Sequence, residues 1–406
     1  MYQAIAILAG ILLVYAAVAG RIERSSLSGP IVFAAVGFLL GPSVLDVLHL
    51  DLTAGGLRAL AEFTLAMVLF TDAANADMSV VRRNLAIPRR LLLVGLPLTV
   101  ILGALLAWPL FPSLGLLEIA LLAGILAPTD AALGAPVVTN PSVPAVMRES
   151  LNIESGLNDG ICVPLVLILL GYAVGTQVQH QAVMHVTFVV IEEIGIGAVV
   201  GCGLTLLASS LLRRTNGLGW ITDNWVPMPA LAVAAACFAT AQAIGGSGFI
   251  ACFVGGLVLS PIARPVKHKF LGGAEIAGRI LGLVTWVIFG ALVVSRMIDR
   301  ITWAILLYSV LSLTVIRMLP VFLCLRGTEL DHAGKLFIGW FGPRGLASIV
   351  FAIIVLDEQL PGNDTMMATI ACTILLSVIA HGVTANPLAA RIAAHQAAAT
   401  QGPRNA

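Results

Sequence analysis

Charge is what this sequence most lacks. Of its 406 residues only 11% are Asp, Glu, Lys or Arg, where a soluble chain carries about a quarter. Too little polar surface remains to cover a chain of this length in water, which excludes a soluble globular protein. The net charge of +1 supplies no basic face for nucleic acid. Cysteine is equally sparse. Cys162, Cys202, Cys237, Cys252, Cys324 and Cys372 lie singly in apolar runs, without disulfide-framework or metal-ligand spacing, and read as small core residues. No HExxH, no serine–histidine arrangement and no glycine-framed aspartate is present, so the chain is not read as an enzyme. The N-terminal MYQAIAILAGILLVYAAVAG has no basic n-region, so it reads as a membrane helix and not a cleaved signal.

What the sequence has instead is apolar length: 59% hydrophobic residues and a mean hydropathy of +1.01. A helix needs about 20 mostly apolar residues to cross the hydrocarbon core. Thirteen spans are predicted, at 2–20, 29–49, 56–73, 90–110, 115–139, 152–174, 183–212, 226–244, 247–261, 276–297, 301–325, 334–356 and 366–388. The division at 245-GGSG-248 is the softest. Alternate connections carry Arg21 and Arg24; Arg82, Arg83, Arg89 and Arg90; Arg148; Arg213 and Arg214; Arg264, Lys267 and Lys269; Arg326 and Lys335. The stretch 390–406 adds Arg391 and Arg404, and the intervening connections hold Arg296 and Arg300. Cytoplasmic loops carry the Lys/Arg excess. The expectation is therefore an all-α multi-pass protein of the cell membrane, N-terminus outside, with 390–406 as a short cytoplasmic tail.

Against this background Glu62, Asp130, Glu154, Asp159, Arg317 and Arg344 fall well inside spans. Each costs about 2.5–3.5 kcal/mol if left at a helix centre. Together they would match or exceed a typical folding stability of about 5–15 kcal/mol, so they pair or line a wet cavity. Four acids against two arginines leave carboxylates in surplus, a pattern suited to ion or proton handling. On a helix Ser155 and Asp159 are i,i+4 neighbours, as are Glu154 and Asn158, and a hydroxyl above a carboxylate offers hard oxygen ligands to a small cation. Asp159 lies about 10 Å along the axis from Asn152, reachable from the cytoplasmic side.

Two spans carry breaks, 127-APTDAALGAP-136 and 339-GWFGPRGLAS-348, where proline and glycine loosen the ladder. They lie seven spans apart in segments of opposite direction, which suggests inverted repeats at about 1–174 and 226–389 with a site between the breaks. Asp130 is placed to offset the positive ends of opposed half-helices, Thr129 to cap one or turn its carbonyl to a cation, and Arg344 to support the facing break.

Taken together, Thr129-Asp130, 154-ESGLND-159, Arg317 in 314-TVIRMLPV-321, 342-GPRG-345 and 380-AHGVTANPL-388 resemble the monovalent cation:proton antiporter family. The resemblance is to its electroneutral NhaP-like branch, relatives of the animal sodium/proton exchangers, and it extends over essentially the whole chain. It implies a homodimer in a prokaryotic plasma membrane, with a dimerisation part at about 1–73 and 226–297 and a moving core at about 90–174 and 301–388. Asp159 would bind cation or proton, with Ser155, Thr129 and Glu62 helping to coordinate the ion. Asn158 would mark the Asn-Asp pattern of electroneutral members, Glu154 would pair with Arg317, and Asp130 would serve the crossing. The implied substrates are Na⁺ first, then Li⁺ or K⁺, and H⁺, with no cofactor and a role in pH homeostasis. The chain departs from the pattern at Ala131, where many relatives have proline; here Pro128 precedes the pair instead. Arg58, one turn before Glu62, is also placed to pair with it.

One carboxylate neutralised by either ion would give one-for-one exchange. The alternatives are an intramembrane hydrolase using Asp130 and Asp159 and a passive cation channel. His381 reads as a hydrogen-bonded structural histidine more than a pH sensor. Asp72 and Asp77 read as the end of the third span, and Glu192 and Glu193 have no assigned role.

Overall fold

The computed structural model describes residues 2–22, 28–48, 54–76, 86–178, 182–262 and 267–400. Arg24, Asp77, Arg82, Arg83, Arg264 and Arg404 lie outside the described residues. The helices are α1 Tyr2–Ile22, α2 Gly29–Leu40, α3 Ala54–Asn75, α4 Ala86–Leu110, α5 Leu116–Ile125, α6 Ala131–Val138, α7 Ala145–Val178 and α8 Ala182–Gly217. They continue with α9 Met228–Ala243, α10 Gly248–Ile262, α11 Lys267–Ile288, α12 Trp303–Leu313, α13 Val315–Cys324, α14 His332–Trp340, α15 Leu346–Asp357 and α16 Asn363–Thr400. No strand occurs among the described residues. Among the described residues seven helical stretches are long and apolar enough to cross a membrane, and five shorter apolar helices accompany them.

Prolines explain two of the departures from simple spans. Gly41 before Pro42 is extended, at φ −72° and ψ 176°, because proline disfavours a helical residue ahead of it. As a result α2 stops at Leu40 instead of running to 49. In α4 the ladder slips to π register over Leu91–Gly95, just before Pro97, whose missing N–H cannot bond back to Leu93. The predicted span 301–325 is split at Thr314, at φ −108° and ψ −91°. Its hydroxyl bonds the Val310 carbonyl at 2.7 Å, a local contact that competes with the ladder. Conversely α7 begins at Ala145, about two polar turns earlier than hydropathy alone indicates, and residues 244–247 form the turn between α9 and α10.

The helices pack in two groups. In one, α3, α8 and α9 surround α10, and α11 lies against α2, α3 and α9; in the other, α4–α7 pack with α12–α16. The helix α3 meets α7 and α15 across the line between them. The six cysteines are free thiols, buried except for half-buried Cys202.

Candidate functional site at the crossed half-helices

The chain leaves helical geometry at 126–130 and again at 341–345, and the two breaks touch. The Asp130 backbone N–H donates to the Pro343 carbonyl at 2.8 Å. The carboxylate then caps two helices at once: Oδ1 accepts from Leu133 N–H at 3.2 Å, at the start of α6, and Oδ2 from Leu346 N–H at 2.8 Å, at the start of α15. Anions favour helix N-termini, and this one serves two that face each other. Gly345 permits the approach, because a Cβ there would collide with the Asp130 carboxylate.

Arg344 works at the opposite pole of the same crossing. Its guanidinium donates to the Pro128 and Gly342 carbonyls, which follow α5 and α14, at 3.4 and 3.1 Å. The Ser348 hydroxyl adds a bond to the Ile125 carbonyl at 2.7 Å. Orphaned helix-end groups are thus met by side chains on both sides. With both its oxygens engaged by backbone donors, Asp130 is not arranged as a proton-sharing partner of Asp159, which removes the geometric basis for a hydrolase.

The helix α7 brings its polar face to this crossing. The Ser155 hydroxyl donates to the Thr129 carbonyl at 2.7 Å, and Asn158 Nδ2 donates to the Thr129 hydroxyl at 2.7 Å. One turn on, Asp159 is buried; among the described residues its Oδ1 has no hydrogen-bond partner, and neither has Asn158 Oδ1. Glu154, on the neighbouring stripe, is fully engaged by Arg317 through two bonds of 2.6 and 2.8 Å. That bidentate geometry is the strong form of a carboxylate–guanidinium pair.

Glu62 does not join this group. Its Oε1 accepts from Arg58 Nε at 2.8 Å, as an i,i+4 pair, ten residues and about 15 Å of helix rise before the site. The acid that α3 brings to the site is Asp72. Asp72 lies against Gly156 of α7: a Cβ at Gly156 would be in van der Waals contact with the Asp72 carbonyl oxygen, at 3.4 Å. Asp72 and Asp130 are both within electrostatic reach of Asp159, and Glu275 of α11 is within reach of Asp72. Glu275 is tied to Asn75 at 2.8 Å. Asp72 is thus part of the acidic surroundings of Asp159, beyond simply ending a span. A signal for it existed in the sequence, since an acid within the last turn of an apolar helix is costly unless it is used. In this state no three His, Cys, Asp or Glu residues among those described converge closely enough to chelate an ion.

The remaining candidates lie apart. His381 is buried; Nε2 is 2.8 Å from the Trp340 carbonyl oxygen and Nδ1 2.8 Å from that of Ser377, so it ties α16 to the end of α14. Glu192 is exposed on α8. The Glu193 carbonyl accepts from Ser247 N–H at 2.9 Å in the turn before α10.

Two broken helices crossing beside a buried carboxylate that has no cationic partner among the described residues fit the architecture of membrane transporters built on discontinuous helices. The chain belongs to the sodium/hydrogen exchanger family, whose transmembrane model matches residues 7–391. It is 26% identical to the K(+)/H(+) antiporter NhaP2 of Shewanella oneidensis over 367 residues, covering 89% of this chain and 62% of that protein. It is also 26% identical to the K(+)/H(+) antiporter NhaP of Alkalimonas amylolytica, covering 94% of this chain and 65% of that one. The chain therefore spans somewhat under two thirds of the length of these relatives. Its fold matches the sodium proton antiporter MjNhaP1 of Methanocaldococcus jannaschii, with a TM-score of 0.74 at 20% identity, over 97% of this chain and 99% of that one.

Proposed function

We propose that the protein is a secondary active antiporter that exchanges one monovalent alkali cation for one proton, with Asp159 as the group that binds either. The observation that carries this is the pair of buried, unpartnered acceptors, Asp159 Oδ1 and Asn158 Oδ1, beside an acid with no ion pair among the described residues. A bare buried carboxylate is expensive. A proton neutralises it; so does an alkali cation held by Asp159 together with the Ser155 hydroxyl and the Thr129 carbonyl, all hard oxygen donors. The two ligands compete for the same oxygens.

Stoichiometry follows from the neighbours. Glu154 is held by Arg317 and Asn158 carries no charge, so exchange is one-for-one provided that Asp72 keeps a single charge state through the cycle. Asp72, rather than Glu62, is the α3 acid we assign to the cation path. In the proposed cycle the chain crosses the membrane thirteen times with the N-terminus outside, the group α4–α7 and α12–α16 moves against the other group, and two copies associate. Na⁺ is the first candidate, with Li⁺ next; K⁺ is raised by the relatives named K(+)/H(+) antiporters.

The test uses purified protein in sealed liposomes containing a pH-sensitive dye, with Na⁺, Li⁺ or K⁺ gradients imposed in turn. Cation-driven proton movement that is lost in Asp159→Asn supports the reading and identifies the ion. Well-folded protein that moves no protons with any cation overturns it, and a current tracking net charge per turnover removes the one-for-one version.

A further inference from the structure

The proposed cycle requires the site to be closed at one end while it is open at the other, and one charged cluster sits where such a closure belongs. Arg58, near the start of α3, donates to Asp357 Oδ2 at 2.8 Å and to Glu358 Oε1 at 3.2 Å, while its Nε holds Glu62 at 2.8 Å. Asp357 ends α15 and Glu358 follows it. Along α3, Arg58 and Asp72 are separated by about 21 Å of helix rise. One helix therefore carries the cluster at one end and the site's acid at the other.

The acids are poorly placed for their own helix. Anions are unfavourable at a helix C-terminus, yet α15 ends at Asp357 with Glu358 directly after it. Their partner is Arg58, the fifth residue of α3, across the line where the two groups of helices meet. The loop bearing the acids is also fixed to its own group. The buried Glu118 at the start of α5 accepts from Gly115 N–H at 2.8 Å and from Gly362 N–H at 2.7 Å, and Gln359 makes the reversal at φ +49°. Any motion of α15 relative to α3 therefore carries Asp357 and Glu358 away from Arg58 as a unit.

We infer that Arg58, Asp357 and Glu358 form a releasable clamp that closes the pathway at the end opposite Asp72 and opens once per transport cycle. The inference rests on the alternating-access reading above and adds to it the contact that holds this state. The exposure fits the role: the three side chains are 33%, 35% and 30% exposed, and exposed ion pairs are weak enough to break repeatedly.

The test is a reducible bifunctional thiol reagent applied to the Arg58→Cys/Glu358→Cys double variant in sealed liposomes, with half-buried Cys202 replaced by Ser. Before cross-linking, cation-driven proton movement must be present; its absence from unmodified protein counts against the proposed function and leaves the clamp to the second variant. Cross-linking should slow exchange by about tenfold or more, since a blocked conformational step becomes limiting, with recovery on reduction. Full-rate exchange by cross-linked protein overturns the clamp. Arg58→Gln, which keeps the fold, should shift the ratio of cation KM values measured from the two faces by about three- to tenfold. An unchanged ratio, with only thermal stability altered, assigns the cluster to packing and equally overturns the clamp.

Discussion

Two arginine–carboxylate clusters of opposite character lie in this molecule. Arg317 and Glu154 are each 1% exposed and bound bidentately; Arg58 and its partners Asp357 and Glu358 are about a third exposed and shared among three carboxylates. The first joins α13 to α7 within one group of helices, and the second joins α3 to α15 between groups. Burial removes water as a competing partner, so separating the first pair leaves a naked charge. Separating the second returns each group to solvent. A protein that must hold one body rigid and let two bodies part gains from this allocation.

The sharpest way to test the contrast is at the buried pair. Glu154→Gln should destabilise the protein by about 3–5 kcal/mol, because Arg317 keeps its charge and loses its counter-ion. Arg317→Met added to Glu154→Gln should recover much of that loss. Thermal unfolding in detergent measures both; an additive double variant would show that the pair is not an energetic unit. Next in size is the crossing itself. Asp130→Ala leaves the N–H groups of Leu133 and Leu346 without their acceptor, which at about 1 kcal/mol per lost cap predicts about 2 kcal/mol. Gly345→Ala should give a comparable defect by displacing the same carboxylate. Unfolding curves for these two variants should nearly coincide, and a benign Gly345→Ala would show that the crossing has slack.

How much of this was legible in the sequence depends on the range of the cause. The breaks at 126–130 and 341–345 follow from Pro128, Gly342, Pro343 and Gly345, which act on their own backbone, and they were readable. The Glu154–Arg317 contact came through the family resemblance, since no local spacing joins residues 154 and 317. From sequence Asp72 reads only as the end of a span, because its further importance depends on which face of α3 meets Gly156, a tertiary fact. Glu62 as an ion ligand is what the family resemblance implies, whereas the structure pairs it with Arg58 at i−4. Asp357 and Glu358 had one visible clue, two acids at the wrong end of a helix.

A smaller effect is expected on the exposed side of the molecule. Asp331 caps α14, accepting from Gly334 N–H at 2.7 Å, and pairs with His395 at 2.6 Å. These two contacts, the backbone bond first, hold its carboxyl below the ordinary value. A carboxyl held low in the folded state contributes stability above its unfolded value, and that contribution disappears as pH falls through the folded value. Asp331→Ala should therefore cost about 1 kcal/mol near neutral pH, the usual worth of a cap. The difference from the parent should close below the ordinary aspartate value of about 3.9. Melting temperatures of the two proteins taken down through that range test it; a constant gap would mean the loss is not electrostatic.

The smallest predicted effect carries the most weight for the comparison. A double-mutant cycle on Arg58→Gln and Asp357→Asn should give a coupling of about 1 kcal/mol or less in unfolding, as exposed pairs do. The same cycle on Glu154 and Arg317 should give several times more. A contact that opens in every turnover multiplies the population of the opened state by about five for each 1 kcal/mol it forgoes, so a strong clamp would itself limit the rate. If Arg58–Asp357 coupling instead matched that of the buried pair, α3 and α15 would be bound too tightly to part. The division of labour between the two clusters would then fail, and the moving boundary would have to lie elsewhere in the bundle.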